Sequence, residues 1–89
     1  MDFASSDLGH QNAGTVVRVA LEGNAANVKL MDATNYSSYQ AGGRHEFYGG
    51  GYDRSPVGLT VPYSGHWFVT IDYGGLAGSG KAAVQVFPS

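Results

Sequence analysis

The chain has 89 residues, with five Lys+Arg, seven Asp+Glu and a formal net charge of −2. Charged residues make up 13%, about half the roughly 25% of ordinary soluble domains, and the few cations exclude an electrostatic nucleic-acid binder, which needs several clustered Lys/Arg. The 12% aromatic content and low net charge exclude an intrinsically disordered chain, and a folded surface of about 5,000 Å² leaves room for one small core in one domain, residues 1–89.

The first stretch, MDFASSDLGHQNAGTVVRVA, lacks the basic start and apolar run of a secretory signal. No apolar segment approaches the ~20 residues of a membrane helix, so the expected location is cytoplasmic, with no membrane association. From Thr15 to Glu22 the periodicity is two: Val17, Val19 and Leu21 alternate with Arg18, Ala20 and Glu22, which predicts a strand. Gly23 and Asn24 supply turn chemistry, and Val28 and Leu30 continue an inward face, so the two segments read as a first hairpin. Asp32 to Gly43 loses the alternation; Tyr36 and Tyr39 fall on one face of a short helix within a loop.

His45 to Tyr48 reads as a short aromatic strand that the run Gly49-Gly50-Gly51 bends or ends. Val57, Leu59 and Val61 form another strand, bracketed by Pro56 and Pro62 and therefore expected at a sheet edge. The segment from His66 to Tyr73 is apolar on both faces, through Trp67, Val69 and Ile71 on one and Phe68 on the other, which predicts a central strand. After the loop Gly74 to Gly80, Ala82, Val84 and Val86 alternate in a closing strand. The expected fold is all-β: a small antiparallel β-sandwich or jelly-roll-like barrel of about 6–8 short strands.

The segments DLGH (Asp7 to His10), GNAANVKLMD (Gly23 to Asp32), NYSSY (Asn35 to Tyr39), YGG (Tyr48 to Gly50), RSPVGLTVP (Arg54 to Pro62) and SGHWFVTIDYGG (Ser64 to Gly75) resemble the small bacterial family known as domain of unknown function eighteen eighty-three. The resemblance runs from about Asp7 to Val86. It implies a compact β-domain, fused in some relatives to TIR domains, which are NAD-consuming or signalling effectors of bacterial defence; a domain of this kind would sense or recruit. It implies no catalytic or binding residues. The chain departs from the expected pattern at GGGYDRSP, where a more basic segment would stand.

Three constellations invite a chemical reading. His10, His45 and His66 match no metal-ligand spacing, so no metal or other cofactor is expected, and the bland reading is histidines bonded to turn backbones. Ser64, His66 and Asp72 make a triad on paper, but His66 and Asp72 lie six residues apart on one predicted strand, about 20 Å. Glu46, Asp53 and Asp72 are acid/base candidates only by default. The glycine runs around Arg44 and Arg54 offer backbone N–H groups and guanidinium forks to an anion, although plain turn geometry is the favoured explanation.

The most suggestive feature is aromatic. Tyr36, Tyr39, Phe47, Tyr48, Tyr52, Tyr63, Trp67 and Tyr73 gather in a charge-poor stretch rich in Gly, Ser and Asn, a composition found at recognition faces. The competing reading is that half of these rings fill the core. The expected function is a non-catalytic recognition module using Tyr36, Tyr39, Arg44, Tyr48, Tyr52 and Arg54, with a protein partner. Self-association is the first alternative, and binding of a small polar ligand, a carbohydrate or nucleotide derivative stacked on Trp67 or a tyrosine, is the second.

Overall fold

The computed structural model of the chain describes residues 4–23, 25–72 and 80–88. They form β1 (Ala4–Gln11), β2 (Val16–Gly23), β3 (Ala26–Asp32), α1 (Ala33–Gln40), β4 (Tyr48–Tyr52), β5 (Val57–Thr60), β6 (Gly65–Asp72) and β7 (Gly80–Phe87). The strands make two sheets, a four-stranded one ordered β1-β6-β3-β4 and a three-stranded one ordered β5-β2-β7, and every pairing is antiparallel. Both sheets are open, so the fold is a sandwich rather than a closed barrel. Its radius of gyration, 12.3 Å, is that of a folded chain of this length, about 12 Å.

Alternation decides which side chains enter the core. Val28 and Leu30 of β3 and Trp67, Val69 and Ile71 of β6 point from the larger sheet toward Val17 and Val19 of β2 and Val57 and Leu59 of β5. Val17, Val19, Val28, Leu30, Trp67 and Val69 have 0% exposure, so each contributes roughly 1.5–3 kcal/mol of burial. β6 is central, as its two apolar faces require, and β5 lies at an edge between its prolines.

The second face of β6 is covered by α1. Asp32 caps this helix, its Oδ1 accepting from the Asn35 amide at 2.9 Å, which satisfies one of the free N–H groups of the first turn. The helix ends where Gly42 takes φ 78° and its amide donates to Tyr39 O at 3.0 Å. Beneath it Met31 and Thr70 are fully enclosed, and the Tyr36 ring stacks on Phe68 at 4.0 Å.

Two local expectations are corrected, and one strand is added. β2 and β3 are not a hairpin: they belong to different sheets. Their matching alternation fills one core from opposite sides, and strands that face each other give the same apolar pattern as strands that pair. The glycine run is itself the strand β4, and residues 45–47 precede it. Gly49 has φ 123°, and a Cβ there would lie 2.2 Å from the Val28 carbonyl oxygen, so glycine lets the two backbones approach. β1 is a strand without clear periodicity, because its register shifts between Asp7 and Gly9 and polar Ser5 and Asp7 occupy its outer face. Tyr73 and the loop residues 74–79 lie outside the described residues.

Candidate functional site

The outer face of the larger sheet carries two linked arrays. In the first, His66 stacks on Phe68 at 4.9 Å, and Phe68 on Tyr36, making a three-ring ladder across β6 and α1. The Tyr36 hydroxyl donates to Ser5 Oγ at 2.9 Å, and His66 Nε2 lies 2.5 Å from Asp7 Oδ1. The Gly9 amide, followed by the bond to His66, holds the Asp7 carboxyl below its ordinary value.

In the second, Asn27 Nδ2 donates to Asp72 Oδ1 at 2.9 Å, and the Tyr39 hydroxyl donates to Asp72 Oδ2 at 3.2 Å. Burial first, and the Asp72 charge second, push the Tyr39 phenol up. Lys29 Nζ sits over the Tyr39 and Phe47 rings at 5.2 and 4.6 Å, so its cation meets two aromatic faces. This array is a polar network that ties helix to sheet.

A different arrangement lies at the end of the sandwich where β3, β4 and β6 meet. The fully buried Trp67 ring is flanked by Tyr63 at 4.9 Å and Tyr48 at 6.1 Å, and those two rings are 45% and 46% exposed. Trp67 Nε1 donates to the Tyr63 carbonyl at 2.9 Å, and the Tyr63 hydroxyl donates to Asp32 Oδ2. That bond, with desolvation and the Asp32 charge behind it, pushes the Tyr63 phenol up to about 12. Partial burial alone would raise the Asp32 carboxyl, but hydrogen bonds from Tyr63 and Asn35 outweigh it and hold the group below its ordinary value. The two tyrosines are therefore presented on a fixed base.

The six residues expected to share one face are divided. Tyr48 and Tyr52 point to the core side of β4, in register with Leu30 and Ala26, about 13 Å apart along the strand, and Tyr52 packs partly against the core. Tyr36 and Tyr39 belong to α1, on the opposite side of that sheet, and Tyr39 is buried. Arg44 and Arg54 are exposed, one between α1 and β4, the other between β4 and β5. Only Tyr48 joins the exposed aromatic pair. Its companion Tyr63 sits in the segment Pro62-Tyr63-Ser64, and the turn chemistry that marks this segment in the sequence gives no sign that Asp32, 31 positions earlier, holds the ring.

The other constellations resolve as structure. Ser64 Oγ accepts from the Ala13 amide at 3.1 Å, His66 meets Asp7, and Asp72 is buried against Asn27 and Tyr39, so the three paper triad members have separate partners. Burial of Trp67 removes it as a stacking platform for a sugar or a base. Among the described residues no group of three or more His, Asp or Glu is placed to hold a metal, and no helix is long and apolar enough to cross a membrane.

The fold defines the class: over the described residues, a small seven-stranded antiparallel β-sandwich with one helix packed on the outer face of its larger sheet. The sequence pattern of the family described as Domain of unknown function (DUF1883) matches residues 1–89, the whole chain, and the protein belongs to that family. Neither a curated protein nor a solved structure matches the chain significantly.

Proposed function

We propose that this domain is a non-catalytic recognition module that docks a segment of a partner protein on Tyr48 and Tyr63. The observation that carries the reading is the pair itself: two half-exposed rings held against a buried tryptophan. Rings fixed in advance lose little entropy on binding and contribute large contact area, the property of binding hot spots. Tyr63 is held at its hydroxyl by Asp32, and its carbonyl accepts from Trp67. In the setting that the family resemblance implies, a sensor or adaptor of bacterial defence or signalling, such a surface recruits another protein.

Selection of a displayed random-peptide library on the purified domain tests this. Peptides that bind the natural chain are expected to lose at least about tenfold in affinity with Tyr48→Ala, while Tyr52→Phe, at the far end of β4, leaves affinity unchanged. Failure to enrich any peptide, or equal binding to Tyr48→Ala, overturns the reading.

A further inference from the structure

We infer that β7 is a self-pairing edge, through which two copies of the chain join their three-stranded sheets into one continuous six-stranded sheet. An open sandwich of two sheets has four edge strands, here β1, β4, β5 and β7, and each edge offers unpaired N–H and C=O groups to another strand. Three of the four are guarded. β1 carries Asp7 and a break in register between Asp7 and Gly9. β4 has only five residues, three of them glycine, and glycine inside a strand weakens it as a template. β5 has four residues between two prolines.

β7 has neither a break in register nor a proline, and its one charge, Lys81, stands next to its first residue. It pairs with β2 over eight consecutive positions, from Val16↔Phe87 to Gly23↔Gly80, without a shift. Among the described residues β2 is its only strand partner. The stretch Ala82 to Phe87, AAVQVF, contains no charge, proline or glycine, the composition that natural edges avoid. Val84 and Val86 point toward the core yet remain partly exposed, so a strand added beside β7 would extend the cover over them.

The pattern of β7 selects a second copy as the occupant. An antiparallel pair centred on Val84 sets position 83 opposite position 85 of the other copy, 82 opposite 86 and 81 opposite Phe87. Position 81, the one charged position of the strand, then stands away from its own copy, whereas a parallel in-register pair would set the two side by side. Because β5 contacts β4 and β7 is the opposite edge of its sheet, the pairing leaves Tyr48 and Tyr63 of both copies open. The dimer thus displays two aromatic pairs, which raises avidity for a partner with repeated segments.

The test is sedimentation of the full chain and of two double variants at Ala83 and Gln85, both exposed. The natural chain is expected to be a dimer. Ala83→Glu with Gln85→Glu sets like charges against each other twice across the pair and should raise the dissociation constant at least about tenfold, with the circular dichroism of the folded domain retained. Ala83→Lys with Gln85→Glu sets opposite charges in the same places and should keep the dimer. Hydrogen exchange gives an independent reading: alternate β7 amides, those turned away from β2, are protected in the dimer and exchange fast in the Glu/Glu variant. A monomer at about 100 μM, well above the range of specific dimers, overturns the inference, as does a Glu/Glu variant that dimerises as tightly as the natural chain.

Discussion

Tyr63 donates its hydroxyl to Asp32, the residue whose other carboxylate oxygen caps α1. One side chain therefore fixes both the helix that covers the larger sheet and the Tyr63 ring at its end. Asp32→Ala should cost about 1 kcal/mol from the cap alone and free the Tyr63 ring. Asp32→Asn, itself a good cap, should keep most of the helix stability while the Tyr63 phenol returns toward 10. Thermal unfolding, with tyrosine absorbance followed against pH, checks both.

The same bond predicts an alkaline limit. The folded-state value of Tyr63, about 12, lies above its ordinary 10, so the protonated form is the one the fold favours. Its contribution is complete below about pH 10 and is lost as pH rises through 10 to 12. Tyr63→Phe should flatten the stability profile across that window, as read from denaturant unfolding at a series of pH values.

At the acid end Asp7 acts with the opposite sign. The Gly9 amide and His66 lower its folded-state value below 3.8, so its contribution is present above that pH and is lost as pH falls through the lowered value. Asp7→Asn is expected to shrink the acid dependence of stability below pH 4 and to leave the profile above pH 10 unchanged, and acid titration of the two proteins by circular dichroism makes the comparison.

Two glycines separate conformational need from mere turn composition. Gly49→Ala places a Cβ against the Val28 carbonyl at a positive φ, which should cost at least about 2 kcal/mol. Gly58, in β5, has open space around it, and Gly58→Ala should change stability by no more than about 0.5 kcal/mol. Urea unfolding of the pair distinguishes them.

Trp67 is the largest fully buried side chain. Its fluorescence should resist quenching by acrylamide in the folded state, and Trp67→Ala should cost about 3–5 kcal/mol. That is a large fraction of the roughly 5–13 kcal/mol available to a domain of this size, so the variant is expected to show a sharply lowered unfolding midpoint.

Much of this fold is written in local alternation. Val17 and Val19, Val57 and Leu59, and Trp67, Val69 and Ile71 are core residues in the structure as their period of two indicates, and the Tyr36 and Tyr39 spacing marks a helix that forms. Pairing was not legible: period two states which side chains face inward, not which strand lies alongside, so β2 and β3 read as a hairpin although they face each other across the core. β1 was hidden because its bulge changes the parity of the pattern halfway along. The aromatic concentration was legible as composition but not as a face, since Tyr36 and Tyr39 lie on one side of the larger sheet and Tyr48 and Tyr52 on the other. Tyr63 is held in place by a contact across 31 positions with Asp32, and no local pattern encodes such a contact.

The most direct test of recognition at Tyr48 and Tyr63 is an amide chemical-shift map of the labelled domain titrated with a peptide selected on it. Shifts concentrated on residues 46–48, 63 and 67, and absent in Tyr48→Ala, are the expected result. A map centred on Arg44 and Arg54, or spread without focus, would contradict the assignment of this pair as the binding surface.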